Sequence, residues 1–133
     1  MLEVGTTFPT RSFHVTRADL VHYAGASLDF NAIHWSDRVA VKVGLPGVIA
    51  HGMLTMALAG EAVSGWIGDP GRIVEFGVLF TNPVLVPDDD EGAVVEVGGV
   101  VKKLTGEGLA QVDLIATCAG TKVLGQARAF VRP

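Results

Sequence analysis

The sequence predicts a single α+β domain in which a mostly antiparallel sheet wraps around one long, buried helix. An apolar run from Gly52 to about Trp66 has helical character and is apolar on nearly all sides, which is typical of a buried helix. After a turn cluster at residues 68–71, the chain becomes rich in Val, Ile, Phe and Thr that often alternate with polar residues, as strands do. A length of 133 residues is enough for one domain with a sizeable core, so residues 1–133 are expected to form one unit.

The chain begins with a predicted strand near residues 11–15, followed by a helix. Thr16 has the chemistry of a helix N-cap, and Asp19 stands where an acidic residue supports the first turn. The apolar residues that follow recur at helical spacing. This helix is expected to end between Gly25 and Ser27.

A second, shorter helix is predicted over residues 37–43. Ser36 is its expected N-cap, and Gly44 is its expected left-handed stop. Residues 29–34 then lie in a loop between the two helices.

The second half of the chain predicts the rest of the sheet, for a total of about five strands. Pro-, Asp- or Gly-containing turns separate these strands, and residues 118–122 suit a tight hairpin. The predicted strands cover residues 73–82, 93–104, 108–119 and 122–131.

The composition is unusually apolar for a domain that works alone. Apolar residues make up 49% of the chain and charged residues 18%, whereas about 25% charged residues is usual. Such a composition indicates a subunit interface, or a cavity lined for an apolar ligand. We expect both.

Membrane insertion is not expected. The longest apolar stretch, Val48 to Ile67, contains His51 and Glu61, and an ionisable side chain at bilayer depth costs about 2.5–3.5 kcal/mol or more. The start of the chain lacks the pattern of a secretory signal, and the lone Cys118 suits a reducing compartment. A cytoplasmic location is therefore predicted.

The net charge of −4 argues against nucleic acid as a partner, because nucleic-acid-binding domains usually carry basic patches. Lys102-Lys103 is the nearest approach to such a patch, and two lysines on a strand are more typical of a solvated face.

The richest chemistry lies in two short segments, Asp29-Phe30-Asn31-Ala32-Ile33-His34 and Ala50-His51-Gly52-Met53. A carboxylate and an imidazole can together hold a water or hydroxyl. A glycine that begins a helix offers a backbone N–H at the positive end of the helix dipole. These are the parts needed to move a proton at a carbon beside a carbonyl.

The neighbouring polar residues of these segments have simpler explanations. Asn31 is interpreted as a residue that holds the loop by bonding its own backbone. His51 is interpreted as a structural, supporting group at the start of the helix. No metal site is expected, because no two of Asp29, His34 and His51 show the close sequence spacing typical of zinc ligands.

The two segments resemble the motifs of a known family, the MaoC-like, (R)-specific enoyl-CoA hydratases. Tyr23 to Ala40 resembles the hydratase-2 signature, and Ile49 to Met53 resembles the motif that opens the family's central helix. Gly65 to Pro70, with the strand Val74 to Thr81, is more similar to the catalytic subunit of actinobacterial (3R)-hydroxyacyl-ACP dehydratases. The likeness extends over residues 10–131.

The resemblance implies the hot-dog fold and reversible dehydration of (3R)-3-hydroxyacyl thioesters to trans-2-enoyl thioesters, with neither metal nor organic cofactor. It assigns the acid–base pair to Asp29 and His34 and the amide that polarises the thioester to Gly52. We expect His34 to take the C2 proton and Asp29 to protonate the leaving hydroxyl, shielded by the apolar Phe30 and Ile33. Which of the pair is acid and which is base is open at the level of sequence.

The chain departs from the family pattern at three positions. Leu28 stands where the family usually has glycine, Ala32 where it usually has proline, and Gly60 where some members have serine. None of these changes touches the expected catalytic groups, so they bear on substrate preference rather than on activity.

Other functions remain as alternatives: a hot-dog acyl-CoA thioesterase, or a non-catalytic acyl-binding scaffold subunit of a dehydratase. The expected partners are an acyl-CoA or acyl-ACP substrate and a second hot-dog subunit, in a homodimer or a heterodimer. An acidic carrier protein would need docking charge from Lys102 and Lys103 or from a partner subunit.

Overall fold

The computed structural model describes residues 2–133. Within that range the chain forms a six-stranded antiparallel sheet curled around one long helix, with two shorter α-helices beside it. The elements are β1 (Thr7–Val15), α1 (Arg17–Ser27), α2 (Asp37–Lys42), α3 (Gly52–Ile67), β2 (Ile73–Phe80), β3 (Ala93–Leu104), β4 (Ala110–Cys118), β5 (Thr121–Lys122) and β6 (Leu124–Val131). The predicted fold class is confirmed.

The caps read from the sequence begin and end the two short helices as predicted. Thr16 Oγ1 accepts the backbone N–H of Asp19 at 3.3 Å, and the Asp19 carboxylate accepts the N–H of Thr16 at 2.8 Å. Such a reciprocal cap stabilises a helix by about 1 kcal/mol. Ser36 caps α2 through the N–H of Val39, and Gly44 has a φ of +94°.

An ion pair ties these two helices to the segment before α3. Arg17 Nη2 donates to Asp37 Oδ1 at 2.9 Å, and the N–H of Val48 donates to the same carboxylate at 3.0 Å. The Val48 N–H, and after it the Arg17 side chain, hold the pKa of Asp37 below its ordinary value.

The strands pair in the order β1-β3-β4-β6-β2, with β5 paired to β4. Strand β1 begins at Thr7, well before the predicted residue 11, and Pro9 lies within it. Proline lacks a backbone donor and is tolerated on an edge strand, which is where β1 lies. Because proline is unusual within a strand, the sequence did not predict the first part of β1.

The predicted last strand is divided in two. Ala119 and Gly120 have φ values of 49° and 76°, as a two-residue hairpin turn requires, so the predicted hairpin is confirmed. Val123 then leaves the strand pattern, becomes buried and donates its N–H to Ala116 O at 3.0 Å.

Helix α3 packs its small and branched residues against the sheet. Its buried residues are Thr55, Ala59, Ala62, Val63 and Ile67. A Cβ on Gly60 would come within 3.3 Å of the Phe76 ring, so this glycine allows close packing between α3 and β2. The expectation of burial on nearly all sides is wrong along one face of the helix, where Met53, Ala57, Glu61 and Gly65 are exposed.

Within residues 2–133, no helix is both long enough and apolar enough to cross a membrane.

Candidate active site

A series of side-chain-to-backbone hydrogen bonds shapes the loop after α1. Ser27 Oγ accepts the N–H of Asp29 at 3.2 Å, and Asp29 Oδ1 accepts the N–H of Asn31 at 3.1 Å. Asn31 Oδ1 in turn accepts the N–H of Ile33 at 3.2 Å and caps the 3-10 turn Ala32–His34. In each bond a side-chain oxygen accepts a backbone N–H, in place of the backbone carbonyl that would accept it in a helix. The loop therefore turns back on itself between the carboxylate and the imidazole.

This turn brings Asp29 and His34 face to face. Asp29 Oδ2 lies 3.8 Å from His34 Nε2, beyond the range of a direct hydrogen bond. A water or a substrate hydroxyl between the two atoms would reach both.

The ring of His34 is buried and held in one tautomer. Its Nδ1 lies 2.7 Å from the carbonyl oxygen of Ile49, and a carbonyl only accepts, so Nδ1 carries the proton. In the neutral imidazole, Nε2 is therefore left with a free lone pair, and this is the nitrogen that faces Asp29. The arrangement presents a proton acceptor at a defined position.

The carboxylate of Asp29 is more open than the sequence suggested. Its side chain is 50% exposed, and Phe30 beside it is also exposed. The expected shielding by apolar neighbours is thus incomplete in the single chain.

His51 is buried between the pair and α1. Its ring stacks on His34 with centroids 3.8 Å apart, and the edge of Tyr23 approaches it at 4.7 Å. Its Nε2 lies 3.1 Å from the carbonyl oxygen of Asp29 and donates to it, whereas its Nδ1 has no hydrogen-bond partner within residues 2–133. Burial lowers the pKa of His51, with a smaller contribution from His34, against the opposing effect of the bond to Asp29. His51 thus supports the loop through its bond to the Asp29 carbonyl, and its surroundings disfavour the charged form of the ring.

Gly52 is the first residue of α3, so its N–H has no acceptor within the helix. A Cβ at this position would lie 3.1 Å from the Phe80 ring. The glycine keeps the start of the helix open where it borders a cavity.

That cavity, of about 390 Å³, is lined by both His34 and Gly52. Asp29 is not among its lining residues and approaches His34 from the side. Sequence reasoning missed three polar residues of the wall, Thr55, Thr81 and Asn82. Thr55 was within reach of prediction because it lies one helical turn after Gly52, on the same face. The remaining lining residues are Ile33, Ile49, Ala50, Phe80, Pro83, Val84 and Val123.

Although Asp29, His34 and His51 are far apart in sequence, their possible ligand atoms lie within 4.8 Å of one another. Sequence spacing did not predict this cluster. One nitrogen of each imidazole is already bonded to a carbonyl, and the rings stack with planes 23° apart. Because the lone pairs of stacked rings point along near-parallel planes, they do not converge on one ion. The cluster fits a hydrogen-bonded group better than a metal centre.

Comparison with known proteins places this site in context. The family model described as "MaoC like domain" matches residues 2–117. The chain is 30% identical over 133 residues to 3-hydroxybutyryl-CoA dehydratase of Methylorubrum extorquens, an alignment that covers 98% of this chain and 80% of that protein. It is 35% identical over 79 residues to 3-hydroxyacyl-thioester dehydratase X of Mycobacterium tuberculosis, covering 59% of this chain.

A solved structure titled "MaoC-like dehydratase" superposes with a TM-score of 0.93 at 41% identity and covers 98% of this chain. The match spans only 40% of that solved chain and 27% of the mycobacterial relative, so both are considerably longer than the region they share with this sequence.

Proposed function

The chain belongs to the MaoC-like domain family and has its hot-dog fold, as the motifs predicted, and on that premise we propose that it dehydrates (3R)-3-hydroxyacyl thioesters reversibly to trans-2-enoyl thioesters. The observation that carries the proposal is the free Nε2 of His34, which faces Asp29 Oδ2 across 3.8 Å. His34 also lines the cavity that Gly52 borders. Dehydration requires a base at C2, an acid at C3 and a donor for the thioester oxygen.

In the dehydration direction His34 Nε2 accepts the proton from C2. Asp29, in its protonated form, gives its proton to the hydroxyl at C3, which leaves as water. The double bond forms between C2 and C3 as the C3–O bond breaks. In hydration the same two groups hold the attacking water, with Asp29 accepting its proton and His34 returning one to C2.

Gly52 supplies the donor for the oxygen on which enolate charge develops. Its N–H stands at the positive end of the dipole of α3, a helix of 16 residues. Loss of such a donor typically costs a factor of about 10² to 10³ in rate.

His51 and Asn31 act through the loop rather than on the substrate. The ring of His51 stacks on His34 and donates to the Asp29 carbonyl, while Asn31 caps the turn that carries His34. Together they keep the two reacting groups at a fixed separation.

The thioesterase alternative would need a carboxylate aimed at the thioester carbonyl. Asp29 does not line the cavity where Gly52 would hold that carbonyl. This position favours a carboxylate that acts through the hydroxyl or water beside His34, and thus the dehydratase.

The decisive experiment follows the loss of enoyl absorbance as water adds to crotonyl thioester. His34→Ala and Asp29→Asn should each lower kcat by about 10² or more, because a positioned acid or base contributes about 10²–10⁴. His22→Ala and Asp88→Asn, at exposed positions away from the pair, are the matched controls and should keep the wild-type rate.

Near-wild-type activity in either test variant would remove that residue from the mechanism. Release of free thiol without loss of enoyl absorbance would favour the thioesterase instead.

A second hot-dog subunit is also part of the proposal. Strand β2 is an outer strand of the sheet, and Val74, Leu79 and Phe80 on it are exposed. An unpaired strand edge with apolar side chains favours association. Because Phe80 also lines the cavity, a copy of this chain or a related chain placed against β2 would help to close the site.

A further inference from the structure

Many of the cationic side chains are already committed to partners within the chain. Arg11 and Arg17 pair with acidic side chains at 3.4 and 2.9 Å. Arg72 and Arg132 donate to backbone carbonyls at 2.8 and 3.1 Å. The Lys and Arg side chains that donate no hydrogen bond within residues 2–133 are Arg38, Lys42, Lys102, Lys103, Lys122 and Arg128.

Some of these uncommitted cations converge on a single groove, which we name the basic groove. Lys102, Lys122 and Arg128 come from β3, β5 and β6 and line a depression of about 390 Å³ on the sheet. Asp113 is the acidic residue in its wall and forms a long ion pair with Arg128 Nε at 3.9 Å, which leaves Lys102 and Lys122 without an acidic partner. The groove is therefore locally positive in a chain whose net charge is −4.

The basic groove adjoins the wall of the active-site cavity at Lys122. The carbonyl oxygen of Lys122 accepts hydrogen bonds from Thr81 Oγ1 at 3.2 Å and from Asn82 Nδ2 at 2.9 Å. Thr81 and Asn82 line the cavity, as does Val123, the residue after Lys122. Lys122 therefore lies beside the cavity wall in the chain and also lines the basic groove.

We propose that the basic groove binds the phosphate-bearing nucleotide end of coenzyme A, so that the substrate of the proposed reaction is an acyl-CoA. This inference rests on the proposed function. The cations would pair with the diphosphate and the 3′-phosphate, and the groove's apolar Val100 and Ile115 offer a surface for the adenine ring. Pantetheine would then run from the groove across the rim at Lys122 to the cavity.

The shape of the groove favours CoA over an acyl carrier protein. A concave site of this volume admits a nucleotide, whereas a folded acidic carrier would meet a chain whose own net charge is −4. Of the adjacent lysines Lys102 and Lys103, only Lys102 lines the groove.

The test compares two substrates with the same enoyl group, crotonyl-CoA and crotonyl-pantetheine, which lacks the nucleotide. Lys122→Gln and Arg128→Gln should each raise KM for crotonyl-CoA by about 2- to 5-fold, as expected for exposed ion pairs. The triple variant that adds Lys102→Gln should raise it by about tenfold or more. The kcat values and the KM for crotonyl-pantetheine should not change.

Lys103→Gln is the matched control, because it removes the same charge from the neighbouring position outside the groove. It should leave both KM values unchanged. Added salt should raise KM for crotonyl-CoA in the wild type and have little effect on the triple variant, because the ion pairs it screens are gone.

Equal KM values for both substrates in the wild type, or an unchanged KM for crotonyl-CoA in the triple variant, would overturn the proposal. So would a KM increase for a crotonyl carrier-protein thioester with none for crotonyl-CoA, because the groove would then serve a carrier protein.

If no thioester is turned over, the proposed function fails, and the groove is tested separately by calorimetric titration with adenosine 3′,5′-bisphosphate. Binding to the wild type but not to the triple variant would support the nucleotide site. Equal or absent binding would refute it.

Discussion

At the scale of single residues, Leu28 adopts a strained backbone conformation at the start of the loop that carries Asp29 and His34. It ends α1 with a φ of 63°, in the left-handed region where a side chain with a Cβ is strained. The side chain is exposed, so no packing offsets this strain. The family usually has glycine here, and the backbone conformation explains why.

Leu28→Gly should therefore stabilise the protein. Relief of left-handed strain adds about 1–2 kcal/mol to the free energy of unfolding. The greater freedom of glycine in the unfolded chain offsets about 0.5–1 kcal/mol of this gain. A net gain of about 0.5 kcal/mol is expected in the free energy of unfolding, measured by urea denaturation with an unchanged m-value.

Val43→Gly is the control for that variant. Val43 also ends a helix and is exposed, but its φ is −93°, so glycine relieves nothing there. This substitution should destabilise the protein, and a gain at both positions would mean that removal of an exposed apolar side chain, rather than strain, is responsible.

At the scale of elements, Asp37 joins α1 and α2 to the segment that leads into α3. Its carboxylate accepts from Arg17 and from the N–H of Val48, and its pKa is lowered as a result. The loop that carries Asp29 and His34 lies between the two helices that this carboxylate holds together.

The lowered pKa of Asp37 predicts acid sensitivity with a definite sign. A carboxyl whose pKa is lower in the folded state contributes stability above its unfolded pKa of about 3.9, and this stability is lost as the pH falls through the folded value. Urea denaturation at pH 6 and at pH 3 should show a smaller pH-dependent loss for Asp37→Asn than for the wild type.

Asp88→Asn is the matched control for this prediction, since Asp88 is exposed and has no ion pair within residues 2–133. Its pH dependence should follow that of the wild type. An equal pH-dependent loss in Asp37→Asn and the wild type would show that the Asp37 bonds do not contribute.

At the scale of the whole molecule, the proposed second subunit accounts for two features, the exposed apolar edge of β2 and the half-exposed carboxylate of Asp29. Val74, Leu79 and Phe80 leave apolar surface beside a cavity that the single chain does not enclose. A subunit across this edge would bury that surface and reduce access of solvent to the site.

Val74→Lys/Leu79→Lys should therefore disrupt association. Light scattering after size-exclusion chromatography should give about twice the 13.9 kDa chain mass for the wild type, or a complex with a co-purified related chain. The double variant should run as a single chain with lower activity, whereas Leu104→Lys, exposed at the end of β3, should keep the assembly. A wild-type chain that is monomeric and fully active would defeat this prediction.

The sequence by itself determined what depends on a few neighbouring residues. The cap at Thr16, the cap at Ser36 and the hairpin at Ala119-Gly120 are each encoded within one turn of chain, and all were predictable. The family followed from two short motifs. The sequence did not predict the strained φ at Leu28 or the added length of β1. The residue types at Leu28 and Pro9 locally favour other conformations.

Only the tertiary structure decided which distant groups meet. Strand order in the sheet places Lys102, Lys122 and Arg128 in one groove, and the start of α3 stacks His51 on His34. These contacts join residues far apart along the chain. Their free energy comes from burying the common core of sheet and helix, and no local pattern of residues carries that information.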